Sequence, residues 1–180
     1  MRPRIFVAFS ALVVSLLIAA AHAQDSKPAA ATLLDGKISY AVPAHWTAVK
    51  SSLPSDIAAT YVAPDHDGVL LIEVLPEKAW IAPEAGPKLA AQFRASRKKA
   101  GQTIVLDPKV EKDPHFSIRI HEKYKNKEGA VADELHLYKR IGDRPISVTV
   151  QSFSEDEHHV DAIHKVGSDT LISAKPKSGK

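Results

Sequence analysis

The longest strand-forming segment of the chain is FSIRIHEKYKNKEGAVADELHLYKRIGDRPISVTVQSF, residues 116–153. Within it, residues 116–124, 130–141 and 145–153 alternate between apolar and polar side chains, which is the period of a β-strand. The two intervening segments, residues 126–129 and 142–144, contain the glycine, asparagine and aspartate that favour tight β-hairpin turns. The segment therefore predicts an antiparallel meander of three strands.

Further strand and helix patterns precede this meander. Residues 69–75 are apolar on both faces apart from Glu73, which predicts an interior strand in a sheet that is covered on both sides. Pro83 is suited to the first turn of a helix and Gly101 to its left-handed C-cap, so we expect a helix between them. Shorter strand patterns occupy residues 37–42, 58–63 and 103–106.

A second helix pattern follows the meander. Ser154 and Glu157 have the spacing of a capping box, and Val160, Ile163, Val166 and Leu171 then recur at helical intervals. Hairpin-connected strands with two separate helices are typical of an antiparallel sheet with helices packed on it. The sequence thus predicts a single α+β domain over residues 35–174, with about six to seven strands.

Both ends of the chain lie outside this predicted domain. Arg2 and Arg4 precede an apolar run, and the run closes in Ala21-His22-Ala23, the pattern of a signal-peptidase site. We therefore expect residues 1–23 to be a signal peptide cleaved near Ala23, which makes the protein periplasmic or secreted; an uncleaved membrane anchor is the alternative. The composition predicts that residues 24–34 form a flexible leader and residues 175–180 a disordered tail.

Composition excludes several classes of function. The 180-residue chain contains no cysteine, which rules out a disulfide framework, thiolate chemistry and a lipid anchor on cysteine. Removal of Arg2 and Arg4 from the 24 basic residues leaves 22 against 21 acidic ones, a net charge of +1. A nearly neutral protein has no electrostatic reason to bind nucleic acid or an anionic membrane, so neither is expected as a partner.

The order of these elements carries a family resemblance. The chain has an early strand ending in Tyr40-Ala41-Val42-Pro43-Ala44-His45-Trp46, a mid-chain helix, a long meander, and a closing helix after Ser154-Glu155-Asp156-Glu157. This pattern resembles the PsbP-like fold, and within it the small exported bacterial proteins of the DcrB type. The resemblance implies an α/β/α sandwich around an antiparallel sheet, used by relatives as a binding or assembly module, and it brings no catalytic residues with it.

The first hairpin of the meander contains the candidate binding residues. If Phe116, Ile118 and Ile120 face the core together with Leu135 and Leu137, the polar side chains of both strands share the opposite face. A four-residue loop would then place His121 across from Glu134 and Arg119 across from His136, and a slip of two residues would place Arg119 opposite Glu134 instead. The candidate binding set is Arg119, His121, Glu134, His136 and Tyr138.

This set allows two interpretations. Two histidines and a carboxylate are suitable ligands for zinc or copper, and a carboxylate beside a histidine can tune a general base. Cross-strand charged pairs are also ordinary stabilisers of a half-solvated sheet, and Arg119 is a poor neighbour for a cation. We therefore predict no metal, no cofactor and no catalytic residue, and keep a metal-binding protein or metal-dependent enzyme using residues 116–141 as the alternative.

Other polar clusters have plain structural explanations. Asp65, His66 and Asp67 are interpreted as a turn. The basic side chains near the first helix end and the histidines of the last helix are interpreted as solvated; they are Arg94, Arg97, Lys98, Lys99, His158, His159 and His164. The hydrolase, phosphate-loop, zinc-helix and EF-hand motifs are missing from the sequence. We accordingly expect a non-catalytic module that binds a protein partner or a small ligand.

Overall fold

The computed structural model describes residues 30–79 and 81–177. The predicted signal peptide, residues 1–23, and the first part of the predicted leader lie outside these residues. Ten strands and two α-helices follow one another along the described chain. They are β1 (Ala30–Leu33), β2 (Ile38–Ala41), β3 (Thr47–Val49), β4 (Ala58–Val62), β5 (Gly68–Val74), α1 (Gly86–Lys99), β6 (Thr103–Glu111), β7 (Ile118–Lys125), β8 (Val131–Ile141), β9 (Arg144–Ser152), α2 (Glu157–Ser173) and β10 (Lys175–Pro176).

Seven strands form an antiparallel sheet in the order β3-β4-β5-β9-β8-β7-β6. The predicted meander supplies β7, β8 and β9, which are neighbours through hairpins, and β5 is an interior strand as its apolar pattern predicted. Strand β6 is longer than predicted, because its pairing with β7 continues past two irregularities in register. It forms one edge of the sheet, and β3 forms the other.

A helix packs on each face of this sheet. Phe93 of α1 joins Ile118, Ile120 and Tyr138 in one apolar cluster. On the opposite face, α2 packs Ile163 and Leu171 against the aliphatic side chains of β5, β8 and β9 in a larger cluster. This arrangement is the predicted α+β fold, an α/β/α sandwich in which the central strands are buried on both sides.

A second, three-stranded sheet in the order β1-β2-β10 lies on the α2 side. Its Leu33, Ile38 and Tyr40 belong to the larger apolar cluster, and the Tyr40 hydroxyl is 2.8 Å from that of Tyr61. Both flanking strands differ from the sequence prediction. Residues 30–33 form a strand where a flexible leader was expected, and residues 175–176 form one where a disordered tail was expected, because β2 offers each of them a strand edge for pairing.

The helix boundaries show one confirmed prediction and one correction. Gly101 has φ +70, the left-handed conformation that a C-cap glycine supplies. At the start of α2 the predicted Ser154–Glu157 capping box is wrong, because Asp156 is the N-cap and its carboxylate accepts the backbone N–H of His158. Asp156 also places an acidic group at the positive end of the helix dipole.

Candidate functional site

The register of the β7–β8 hairpin differs by one residue from the prediction. Lys125 pairs with Val131, so the loop contains five residues, 126–130, rather than four. His121 consequently lies opposite Leu135, and Glu134 lies opposite Glu122. Because successive side chains of a strand point to opposite faces, this single residue divides the predicted binding set between the two faces of the sheet.

Three members of the predicted set, Glu134, His136 and Tyr138, lie on the α1 face. They share it with Ile118 and Ile120, which the sequence analysis had placed on the opposite face. Tyr138 belongs to the apolar cluster under α1, and burial followed by the charges of Glu73 and Glu122 raises its pKa. Tyr138 is therefore a core residue.

Glu134 and His136 belong to a buried charge network, which we define as Arg97, Tyr124, Glu122, Glu134 and His136. The Arg97 guanidinium donates to Glu122 Oε1 from Nε at 3.2 Å and from Nη2 at 2.7 Å, and Nη2 also donates to Glu134. The guanidinium carbon lies 3.8 Å from the centre of the Tyr124 ring, and the Tyr124 hydroxyl donates to Glu134 at 2.7 Å. Arg97 is thus the counter-charge of two buried carboxylates and not the solvated helix-end cation that we predicted.

His136 completes the buried charge network. Its Nε2 lies 3.2 Å from Glu122 Oε1 and 3.3 Å from Glu134 Oε2, its Nδ1 lies 3.2 Å from the Thr149 hydroxyl, and its ring stacks on Phe93. Burial alone would lower the pKa of His136, but the two carboxylates hold it above its ordinary value. Burial would likewise raise the pKa of Glu134, yet His136 and Arg97 hold it well below its usual range.

The buried charge network is better suited to stabilising the fold than to binding a metal ion or catalysing a reaction. Glu122, Glu134 and His136 are buried, and each of their charges already faces a partner of opposite sign. A metal ion at these three ligands would have to displace the Arg97 guanidinium from both carboxylates. The network fixes α1 against β7 and β8.

On the α2 face, His121 meets two residues that the sequence analysis did not select. We call His121, Asp133 and His164 the histidine–aspartate cluster. Asp133 Oδ1 lies 2.6 Å from His121 Nε2 and 3.3 Å from His164 Nε2, and the two rings are edge to face at 5.3 Å. The side chain of His121 is 27% exposed, so the cluster reaches the surface beside α2.

The protonation states in this cluster follow from burial and charge. Burial lowers the pKa of His164, and the nearby Asp133 only partly opposes this, so the ring is neutral at pH 7. Burial would raise the pKa of Asp133, but His121, His164 and Lys123 hold it below its ordinary value. Asp133 is therefore an ionised carboxylate between two imidazoles.

Arg119, the remaining member of the predicted set, is paired elsewhere. Its Nε donates to Glu111 Oε2 at 2.7 Å, and its Nη1 lies 3.9 Å from Asp113. The predicted pairing with His136 or Glu134 is wrong, because Arg119 lies on the α2 face and those residues lie on the α1 face. Glu111 also lies 4.0 Å from His121 Nδ1, which joins Arg119 to the edge of the histidine–aspartate cluster.

A third group of possible ligands, Asp65, Asp67 and His159, lies at the turn between β4 and β5. Asp65 accepts the backbone N–H of Asp67, as expected of a turn-forming aspartate, and His66 has φ +65. His159 Nε2 is 3.2 Å from Asp65 Oδ2. Both aspartates are exposed, and the turn accounts for their positions.

The surface also contains a shallow groove of about 520 Å³ between α1 and β6, which we call the α1–β6 groove. Its apolar lining comes from Pro87 and Ala90 of the helix and from Leu106, Pro108 and Val110 of the strand. Leu106 and Val110 are each 37% exposed. Arg94, Asp107 and Lys109 supply the charged lining, and this surface lies outside the predicted binding set.

Some of the missed residues left a signal in the sequence. His164 follows Val160 by four residues and so falls on the apolar stripe of α2, which indicates a buried histidine. Arg97 similarly follows the buried Phe93 by four residues. Glu122 follows Ile120 by two residues on β7 and so falls on its inward face. Asp133 left no signal, because both faces of β8 are buried and the apolar alternation that identifies an inward face is lost.

Comparison with solved structures confirms the fold. The Ran-binding protein Mog1p of Saccharomyces cerevisiae is similar with a TM-score of 0.53 and 10% identity, over 82% of this chain and 94% of that chain. The PsbP of the cyanobacterium Synechocystis sp. PCC 6803 is similar with a TM-score of 0.53 and 10% identity, over 89% of this chain and 99% of that chain. The chain therefore has the PsbP-like fold that the sequence analysis predicted, while the DcrB type stays a prediction.

Comparisons of sequence do not assign the chain to a protein family. No protein-family model matches the chain, and no curated protein matches it significantly. Among the helices of residues 30–79 and 81–177, none has both the length and the apolar composition needed to cross a bilayer.

Proposed function

We propose that this protein is an exported, non-catalytic module that binds an extended acidic segment of a partner protein in the α1–β6 groove. The observation that carries the proposal is the exposed apolar strip of β6 beside a helix whose charged residues are all basic. Leu106 and Val110 are large apolar side chains exposed at a sheet edge, and adjoining exposed apolar groups are a recurring feature of protein-binding surfaces.

The charge around the α1–β6 groove selects the chemistry of the partner. Helix α1 has the sequence GPKLAAQFRASRKK, with no acidic residue and five basic ones. Arg97 is neutralised in the buried charge network and Arg94 by Asp107, which leaves Lys88, Lys98 and Lys99 as charges without an ion pair in the described part of the chain. Lys109 adds a basic residue from the strand, and Asp107 is already paired with Arg94 at 3.0 Å. An acidic segment with apolar side chains would therefore be attracted by α1 and would cover Leu106 and Val110.

The edge of β6 favours side-chain packing over the addition of a strand. Pro108 lacks a backbone N–H, and the pairing of β6 with β7 is irregular between Ile104 and Lys109. Both features weaken an edge as a template for another strand. The Mog1p structure is that of a Ran-binding protein, so this fold serves protein binding in that case.

Site-specific photo-cross-linking in the native cell envelope tests the binding surface. A photoreactive amino acid at position 106 should capture a protein segment that mass spectrometry identifies as acidic, and the synthetic segment should bind the purified protein with a salt-sensitive affinity. The matched control is position 49, because Val49 is 38% exposed at the opposite sheet edge. Equal capture at both positions, or capture of lipid at position 106, would contradict the proposal.

Charge reversal tests the electrostatic part separately. Lys109→Glu should weaken binding of the synthetic segment and reduce its dependence on salt, since one attractive charge becomes repulsive. Lys165→Glu is the control, because Lys165 lies exposed on α2. Equal effects of the two variants would show that the net charge of the whole protein, and not the α1–β6 groove, attracts the segment.

Export rests on the signal-like pattern of residues 1–23 and has its own test. Intact-mass measurement of the protein from its native cell should give a chain that begins at Gln24 and partitions with the periplasmic or secreted fraction. A chain that retains Met1 in the cytosol would refute export without affecting the groove.

A further inference from the structure

We propose that His121, Asp133 and His164 form a binding site for one divalent zinc ion, or for a late first-row metal ion of similar preference. The proposal goes beyond the binding function above and does not depend on it. The site would lie on the α2 face of the sheet, and the α1–β6 groove lies on the edge next to α1.

The positions of the three ligand atoms carry the inference. One ring nitrogen of His121, one ring nitrogen of His164 and one carboxylate oxygen of Asp133 all lie within 4.8 Å of one another. Zinc binds imidazole nitrogen and carboxylate oxygen at about 2.0–2.2 Å in a tetrahedron, so two ligand atoms of one ion lie roughly 3.3 Å apart. The distance of 3.3 Å from His164 Nε2 to Asp133 Oδ1 already has this value, and the distance of 2.6 Å from His121 Nε2 to the same oxygen would have to lengthen by about 0.7 Å.

The donor types select the metal. Two imidazoles and one carboxylate suit zinc, copper, iron and nickel, whereas magnesium and calcium prefer oxygen ligands alone. A water molecule would have to complete the tetrahedron, and the 27% exposure of the His121 side chain gives water access to the site. Three protein ligands with one open position is the arrangement of zinc sites that retain a water molecule.

A neighbouring carboxylate favours the ring orientation that binding requires. Glu111 Oε1 lies 4.0 Å from His121 Nδ1, on the side of the ring away from Asp133. A histidine that binds metal through Nε2 generally donates its other N–H to such a group, which here requires the two side chains to approach to about 3 Å. Glu111 is held in turn by Arg119 at 2.7 Å.

The ion that competes with a metal is Lys123. Its Nζ lies 3.6 Å from Asp133 Oδ2, the carboxylate oxygen that does not contact the histidines. The Lys123 side chain is 26% exposed, so its ammonium has water beside it when a metal takes the carboxylate. In the buried charge network, by contrast, the Arg97 guanidinium donates hydrogen bonds directly to both carboxylates, so a metal ion could not replace it in the same way.

Metal binding should also stabilise the fold. The three ligands come from β7, β8 and α2, so one ion would join the closing helix to the sheet. An ion that binds only the folded state stabilises that state. The gain grows with the logarithm of the ratio of the free ion concentration to the dissociation constant. Zinc should therefore raise the melting temperature of the chain that begins at Gln24.

Titration of that chain, purified without a histidine tag and treated with chelator, tests the proposal directly. Competition with a chromophoric chelator should give one zinc per chain, and cobalt substitution should give the intense visible bands of a tetrahedral site. His164→Ala and Asp133→Ala should each weaken zinc binding by more than about 100-fold, beyond the effect of altering an outer-sphere partner. His158→Ala, an exposed histidine on the same helix, should leave it unchanged.

Lys123→Ala provides an outcome that a purely structural role cannot produce. Because this variant removes the competing ammonium, it should tighten zinc binding by about tenfold or less. The Lys123 side chain is 26% exposed, so we expect the variant to fold normally. A wild-type chain that binds no zinc, or that binds equally well after His164→Ala, would overturn the proposal. So would weaker binding by a folded Lys123→Ala variant.

Discussion

Arg97 on α1 donates two hydrogen bonds to Glu122 on β7, from Nε at 3.2 Å and from Nη2 at 2.7 Å. The Glu122 side chain is 1% exposed, so its negative charge has almost no contact with water. A buried carboxylate without a counter-charge is costly, and breaking such a pair from one side typically costs more than the pair contributes. The position of α1 is therefore tied to a charge that the Arg97 guanidinium and His136 oppose.

Arg97→Met should lower the free energy of unfolding by about 3–5 kcal/mol, because it leaves two buried carboxylates with one cationic neighbour fewer. Urea denaturation followed by circular dichroism measures this loss. The matched control is Arg94→Met, one turn earlier on the same helix. Arg94 pairs with Asp107 at the surface, where loss of an ion pair costs at most about 1 kcal/mol. Equal losses in the two variants would show that the network contributes no more than a surface pair.

Gly167 lies where α2 packs tightly against β9. A Cβ at this position would lie 2.6 Å from Val150 Cγ1 and 2.9 Å from Val150 Cβ. Alanine normally stabilises a helix interior relative to glycine by about 1 kcal/mol, but here Gly167→Ala should destabilise the protein by about 1–3 kcal/mol through overpacking.

Thermal denaturation of a double-mutant cycle with Val150→Ala separates the two effects. Removal of the valine methyl groups relieves the 2.6 Å contact but leaves the 2.9 Å contact with Cβ, so the double variant should be partly rescued and more stable than the sum of the single changes predicts. Additive changes would mean that helix and sheet can separate slightly at low cost.

The hairpin shows which part of the fold could be predicted from sequence. Strand positions came from alternation and turn residues, and β7, β8 and β9 lie where those signals placed them. The facing of the side chains was predicted wrongly, because it depends on whether the loop has four residues or five. Burial on both faces removed the alternation in β8 that would have corrected the register.

The candidate site was only partly predictable, because it too depends on the register of the β7–β8 hairpin. His121 and His136 were recognised as residues with binding chemistry, yet their partners Asp133 and Glu122 became evident only from the register. Residues distant in sequence, such as His164 and Arg97, reach the sheet through helix packing. Amino-acid composition does not show which helical side chains are buried, since a helical histidine or arginine is exposed more often than buried.

Residues 30–33 extend the folded domain beyond its predicted start. Leu33 is 2% exposed and belongs to the larger apolar cluster. Leu33→Ala should therefore destabilise the chain that begins at Gln24 by about 2–5 kcal/mol in urea denaturation, as for other buried leucines. Val49→Ala, at an exposed position, is the control and should change stability by less than about 0.5 kcal/mol. A Leu33→Ala variant as stable as the wild type would restore the interpretation of this segment as a flexible leader.

Glu73 on β5 should make the folded protein less stable as the pH rises. Its carboxylate forms no ion pair with any part of the chain that the structure describes, and burial raises its pKa. A carboxyl group whose pKa is higher in the folded state opposes folding when ionised. This penalty is absent below the pKa of the unfolded chain, about 4.3, and grows until the pH passes the pKa of the folded state.

Glu73→Gln should consequently be more stable than the wild type at pH 7, by less than about 1 kcal/mol because the side chain is only partly buried. The difference should shrink towards zero as the pH falls below about 4, where the wild-type carboxyl is protonated in both states. Paired urea titrations across pH 3.5–8 measure it, and Glu77→Gln, which removes the same charge from a side chain that is 63% exposed, is the control. A Glu73→Gln variant that is less stable than the wild type at pH 7 would mean that the carboxylate accepts stabilising hydrogen bonds there, and that these outweigh its loss of hydration.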